Sequence, residues 1–411
     1  MAPPARRCHR ARSRARLATL AIVTIFILLG GVKFPAFAQD RVTTWSARLV
    51  PDRDDTNVRS DAGGLRLGPG PAGPASIRSG GPEGMLLTAM QPLAELSSQV
   101  TTKLVADQPA GSAVAVDVRG TRPDGSWTEW VTTGSKAPAM LGAAVTAVQT
   151  RIVLRTGPGG LSPLVRSLRL TAQPGVALLA ARPSNARSYQ VFATREGLTG
   201  ATTANGHLIH PRDHFVALPS RRGLAPRDSG DYTVKICAAN GRCEWAPVWD
   251  VGPWNTTDDY WNPTGGRESW PDLPQGTPEA QAAHDQGYHN GQDQFGRPVV
   301  SSAGIDLADG TFWDGLGLHD NSWVTVTYLW TDAGTPAIVA LPILPVHSGP
   351  GAQYPAVGLV AQQAKLIVEC TVTGRAGPAD RWLRIGPKQF ISAAHVTITG
   401  TQASGTRCAN P

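Results

Sequence analysis

The chain reads as an all-β protein, and three observations carry that reading. Its apolar residues fall in short runs, several of them alternating, separated by Gly, Pro, Asp and Ser. Glycine (45) and proline (34) are abundant enough to supply a turn after each run. Sustained helical periodicity is nearly absent beyond the N-terminal segment.

That segment comes first. Residues 1–16 contain six arginines and no acid, and an apolar stretch runs from Leu17 to Val32. Pro35-Ala36-Phe37-Ala38 follows, and the chain turns polar at Gln39-Asp40. A basic region, an apolar core and small residues at −3 and −1 predict an export signal at 1–38, cleaved after Ala38. The apolar stretch is short for a membrane span. The expectation is a secreted protein, extracellular or wall-associated, with no membrane contact once the signal is gone.

The signal carries seven cations, the whole of the +7 formal excess, so the remainder is near neutral. The basic balance therefore gives no case for nucleic acid as a partner. About 370 residues remain, enough for two or three domains. They hold Cys237, Cys243, Cys370 and Cys408, an even number that predicts two disulfides in an exported chain. Proximity favours Cys237–Cys243 and leaves Cys370 with Cys408. No CxxC occurs, so neither a thioredoxin-like site nor a four-cysteine zinc site is expected. No metal or cofactor is expected elsewhere.

Residues 39–80 are rich in Gly, Pro, Asp and Arg and read as an irregular leader with one edge strand at GGLRL. Residues 81–175 read as a two-sheet β-sandwich. In Ala113 to Arg119 the valines fall at i, i+2 and i+4 and define one buried face. Asp124-Gly125 is a turn. Residues 173–188 read as a linker. Residues 189–331 form a second block, interrupted by a polar insertion at 255–297. That insertion is either a flap or a short helix at PEAQAAHDQG with loops. A third block, 354–409, has several short strands and reads as a small barrel.

The chemistry concentrates in Trp249-Asp250-Val251-Gly252-Pro253-Trp254. An aspartate at a strand end before Gly-Pro is held at a sharp turn, flanked by two indoles. Aromatic neighbours stack on sugar rings and exclude water, which suits a carboxyl to general-acid work. The same residue also reads as a turn-capping Asp. In the insertion, His284 and His289 are five apart and miss a common helical face.

The order Thr-Ala-x-Gly, Leu218-Pro219, Asp250-x-Gly-Pro-Trp, Ile305-Asp306-Leu307 and a terminal strand resembles the double-psi β-barrel family. That family holds RlpA-like lytic transglycosylases, expansins, barwin-like proteins and endoglucanases. The resemblance implies a six-stranded barrel with a glycan groove, and cell-wall polysaccharide, peptidoglycan first, as partner. It makes Asp250 the catalytic aspartate, with His214 and Asp213 as the further catalytic candidates, and Trp249, Trp254, Trp261 and Tyr189 are the candidates for contact with glycan. The family's histidine falls on Phe215, with His214 one position earlier. In a strand one position flips the face, unless a bulge restores it.

The implied function is expansin-like glycan binding or loosening without cleavage. The alternatives are lytic transglycosylation or hydrolysis with Asp250 as general acid, or a structural envelope protein with a degenerate site. Inverting hydrolysis needs a second carboxylate about 6.5–9.5 Å away, for which Asp213 and Asp306 are the candidates. The segments GSWTEW and VQTRIVLRT resemble sandwich modules of secreted actinobacterial wall enzymes. The C-terminal block resembles a bacterial SH3-like wall-binding domain, with Trp382 and Phe390 packing its barrel.

Overall fold

The computed structural model describes residues 42–69, 82–134, 137–174, 186–332, 334–375, 377, 380–399 and 407–408. The export segment at 1–38 and most of the linker at 173–188 lie outside them. No helix among the described residues is long and apolar enough to cross a membrane.

The N-terminal strands are β1 (Thr43–Ser46), β2 (Val58–Asp61), β3 (Gly64–Leu67), β4 (Glu83–Leu87), β5 (Gln91–Asp107), β6 (Ala113–Thr121), β7 (Val131–Thr133), β8 (Ala139–Arg155) and β9 (Leu164–Gln173). The first part of β5 pairs with β8 and its second part with β9. One strand thus passes between two layers, β7-β6-β8 and β3-β9, and its register shifts where it bends. Alternating side chains from both layers fill one core, including Val118, Ile152, Leu154 and Leu168. The leader is more ordered than its composition suggested. β1 and β3 both pair with β9, and β2 and β3 form a hairpin at the expected GGLRL edge.

The central strands are β10 (Arg187–Arg195), β11 (Val216–Leu218), β12 (Thr233–Ala238), β13 (Cys243–Val251), β14 (Ala303–Leu307) and β15 (Ser322–Tyr328). They hydrogen-bond in the order β11-β14-β10-β15-β12-β13 and close back from β13 to β11. This is the closed six-stranded barrel that was expected. Two pairings are parallel, β10 with β14 and β11 with β13. Exchanging the first three strands for the last three leaves the order unchanged, so two like halves interlock. The Cys237–Cys243 disulfide pins the β12–β13 hairpin.

The last strands are β16 (Thr335–Val339), β17 (Ile343–His347), β18 (Ala356–Ala361), β19 (Lys365–Val368), β20 (Cys370–Thr373), β21 (Arg381–Gly386), β22 (Gln389–Ser392) and β23 (Val396–Ile398). Two small sheets enclose a core that includes Leu344, Val360, Leu366 and Ile391. The block begins before residue 354, because β16 and β17 belong to it. It also continues the barrel sheet, since β18 runs parallel to β13. Trp382 and Phe390 pack together, and Cys370–Cys408 closes beside them.

Candidate functional site

β10 and β14 end, and β15 begins, at one rim of the barrel. The segments 196–215 and 308–321 connect strands there. β13 leads away from that rim into the insertion, which returns at the start of β14. The two ends have different chemistry.

At the rim, consecutive residues feed two separate histidine–carboxylate pairs. Asp213 Oδ2 meets His207 Nε2 at 2.7 Å and also accepts the His210 N–H at 2.7 Å. Burial pushes the Asp213 carboxyl up, but these bonds outweigh it and hold it below the ordinary carboxylate value. His214 turns the other way. Its Nδ1 lies 3.0 Å from Glu244 Oε1, which also accepts the Thr311 hydroxyl at 3.0 Å. Burial opposes the charged imidazole, yet Glu244 wins and raises the His214 pKa.

Glu244 is fully buried and its Oε2 has no hydrogen-bond partner. The π-helical turn Thr311–Gly315 wraps this carboxylate. Gly315 permits the approach, because a Cβ there would stand 1.4 Å from Glu244 Oε2.

Asp250 lies within β13 with no solvent exposure. Its Oδ1 accepts the backbone N–H of Ala204 at 2.7 Å and of Val251 at 2.8 Å. It therefore holds the Thr202–His207 turn onto the barrel. Inside that turn the Thr203 hydroxyl donates to Asn205 Oδ1, and Asn205 Nδ2 donates to Ala225 O. The three residues expected to act together are thus committed to three different partners. The bulge that would have brought a histidine to Asp250 is not what this chain does. Phe215 occupies the inward position, buried, with its ring stacked on Trp249 at 6.0 Å.

The expected glycan-stacking aromatics are also redistributed. Trp249 keeps 8% exposure, lies against the His207 ring at 4.7 Å and donates to Ser229 O. Trp261 is wholly buried, stacked on Tyr328 and bonded to Glu129. No face remains for a sugar, which corrects the expectation for this residue. Trp254 packs on Ala280 and Ala283 of the insertion and on Val299 just after it. Tyr189 lies under Gly276, where a Cβ would meet its ring at 2.2 Å. Three of the four therefore dock the insertion on the barrel.

The insertion contains the expected short helix, α1 (Glu279–Gln286), closed by Gly287 in the left-handed conformation. Three of its acids are structural. Asp258 and Arg267 pair at 2.5 Å with no exposure, Asp259 holds Arg222, and Asp293 holds Arg297. Among the described residues no group of three or more His, Cys, Asp or Glu is placed to hold a metal ion.

Residues not singled out from sequence complete the rim. Trp313 is 37% exposed, with the guanidinium groups of Arg195 and Arg212 at 4.9 and 5.0 Å from its ring. Trp323, 43% exposed at the start of β15, meets Phe192 of β10 edge-on. Glu244 and His207 were missed as well. The usable signal was the histidine-rich run His207, His210 and His214 just before β11.

A family profile described as a domain of unknown function (DUF8814) matches residues 187–327, the barrel with its insertion. A search of curated proteins found no match.

Proposed function

We propose that this chain is an exported protein that binds cell-wall polysaccharide, in the manner of an expansin-like barrel, without cleaving it through Asp250. One observation carries the negative half. The Asp250 carboxyl has no solvent exposure, and one of its oxygens is taken by two backbone N–H groups. A general acid must reach the glycosidic oxygen it protonates.

The positive half is supported by the order of family-like segments and by the rim. Trp313 and Trp323 are partly exposed aromatic side chains of the rim, the kind of surface on which sugars stack. His207, His210 and Asp213, in the 196–215 connection at the same rim, add hydrogen-bonding groups.

Sedimentation with insoluble peptidoglycan and with cellulose tests the reading. The protein without its signal segment should pellet with the wall polymer, and the double variant Trp313→Ala/Trp323→Ala should stay largely in solution while keeping its native circular dichroism. Equal pelleting of the folded variant would remove the rim from the account, and no pelleting of the parent would remove the binding function.

A further inference from the structure

A second recess lies away from the rim, where the sandwich meets the barrel and the insertion. It has a volume of about 210 Å3. Its walls come from β6 and β8, from the turn after β11 and from the start and end of the insertion. We infer that this cleft is a binding site for the carboxylate of a small ligand, the size of one sugar or one to two amino-acid residues, gripped by Arg221.

The wall chemistry carries the inference. Four arginines line the cleft, Arg151, Arg155, Arg221 and Arg222, against two acids, Asp117 and Glu268. Asp117 is already spent, because its Oδ2 accepts both Nε and Nη2 of Arg151 and its Oδ1 accepts the Thr132 hydroxyl. Behind the wall, a single oxygen of Glu83 serves two guanidinium groups, Arg155 at 3.1 Å and Arg221 at 2.8 Å.

Arg221 therefore gives one of its five N–H groups to Glu83 and keeps a donor fork for a second carboxylate. Arg222 donates through Nη1 to Asp259 and to Gly266 O, while its buried Nε has no hydrogen-bond partner. Glu268 stands 3.5 Å from that Nε, too far for a good bond. Burial pushes the Glu268 carboxyl up to about 7, so near neutrality it balances Arg222 incompletely.

The four arginines are met by four acids, Asp117 and Glu268 in the wall and Glu83 and Asp259 behind it, so the unused capacity of the cleft is the donor fork of Arg221, the group that recognises a carboxylate in two-point fashion. Trp130 and Val153 supply an apolar wall for the ligand's body. A recess of about 210 Å3 suits a terminal group.

Titration calorimetry on the intact chain tests this, with glucuronate and N-acetyl-D-alanine as probes. Glucose and N-acetyl-D-alanine amide are the neutral twins, and inorganic phosphate is the rival anion. At least one acid should bind about tenfold or more tighter than its twin. Arg221→Gln should abolish that preference. Ala115→Leu, which narrows the cleft without altering a charge, should weaken binding in a chain of unchanged melting temperature. Equal binding of acids and twins, absence of binding, or an unaffected Arg221→Gln protein would overturn the assignment. Binding of phosphate alone would overturn its carboxylate character.

Discussion

His214 and Phe215 are neighbours, yet one serves a buried glutamate and the other fills the barrel interior. The choice is set by Glu244, whose fully buried carboxylate needs a positive or donating partner. Because Glu244 raises the His214 pKa, the pair stabilises the fold while the imidazole is charged. That contribution is complete below about 6.5, the value of a free imidazole, and is lost as pH rises through the higher folded value. Thermal melts from about pH 6 to about pH 9 should therefore fall more steeply for the parent than for Glu244→Gln. Parallel curves would show that the pair does not titrate in this range. Asp250 was legible as a residue held at a turn, but its burial was not, since the covering N–H comes from Ala204. Glu244 was illegible for a related reason. Every residue of β13 is buried, so no alternation marks the acid as unusual.

At the scale of elements, the insertion behaves as a cap rather than a flap. Its length suggested mobility, but paired side chains brace it throughout. Asn255 donates to Glu279, Asp258 accepts from Arg267 and from the Glu279 N–H, and Gln294 bonds Thr256. Tyr260 reaches across to Gly304 O on β14. The helix was readable from its alanines and its closing glycine. The bracing was not, because an Asp–Arg pair nine residues apart in a polar segment looks like any solvated charge. Removing Arg267 alone strands a fully buried carboxylate. Arg267→Met should cost about 3–5 kcal/mol in denaturant melts, whereas Asp285→Ala on the exposed side of α1 should cost under about 0.5 kcal/mol. Similar small losses for both would show that the insertion is not anchored through this pair.

The whole molecule is joined more tightly than a string of modules. Trp130 leaves the sandwich and enters the barrel core, with its Nε1 donating to Leu224 O. Arg119 pairs with Asp231 and lies over the Trp127 ring at 3.8 Å. Glu129 is the centre of this junction. It accepts from Trp261 at 2.8 Å, Trp330 at 2.7 Å and Asn262 at 2.6 Å. The abundance of tryptophan in polar sequence thus has a cause that no local reading could supply. Two indoles, Trp261 and Trp330, find their acceptor on Glu129 more than a hundred residues away. Glu129→Ala leaves two buried indole donors unpaired and should cost about 3 kcal/mol or more. It should also split a single denaturation transition, followed by tryptophan fluorescence, into two. A variant that still unfolds in one step at the parent's midpoint would mean the junction contributes little. The strand pattern was readable from alternation and turn residues, and the barrel closure from the resemblance of its segments to a known family. The joining of leader, sandwich, barrel and C-terminal block was not, because it rests on pairings such as β1 with β9 and β18 with β13, which leave no local periodic mark.

The account turns on Asp250 holding a loop rather than donating a proton. The most direct measurement is mass spectrometry of the soluble fraction after prolonged incubation of the protein with purified peptidoglycan, run beside Asp250→Asn. The expected result is protein in the pellet and no released anhydro-sugar or new reducing end in either reaction. Release of such products by the parent, lost in a correctly folded Asp250→Asn protein, would contradict it.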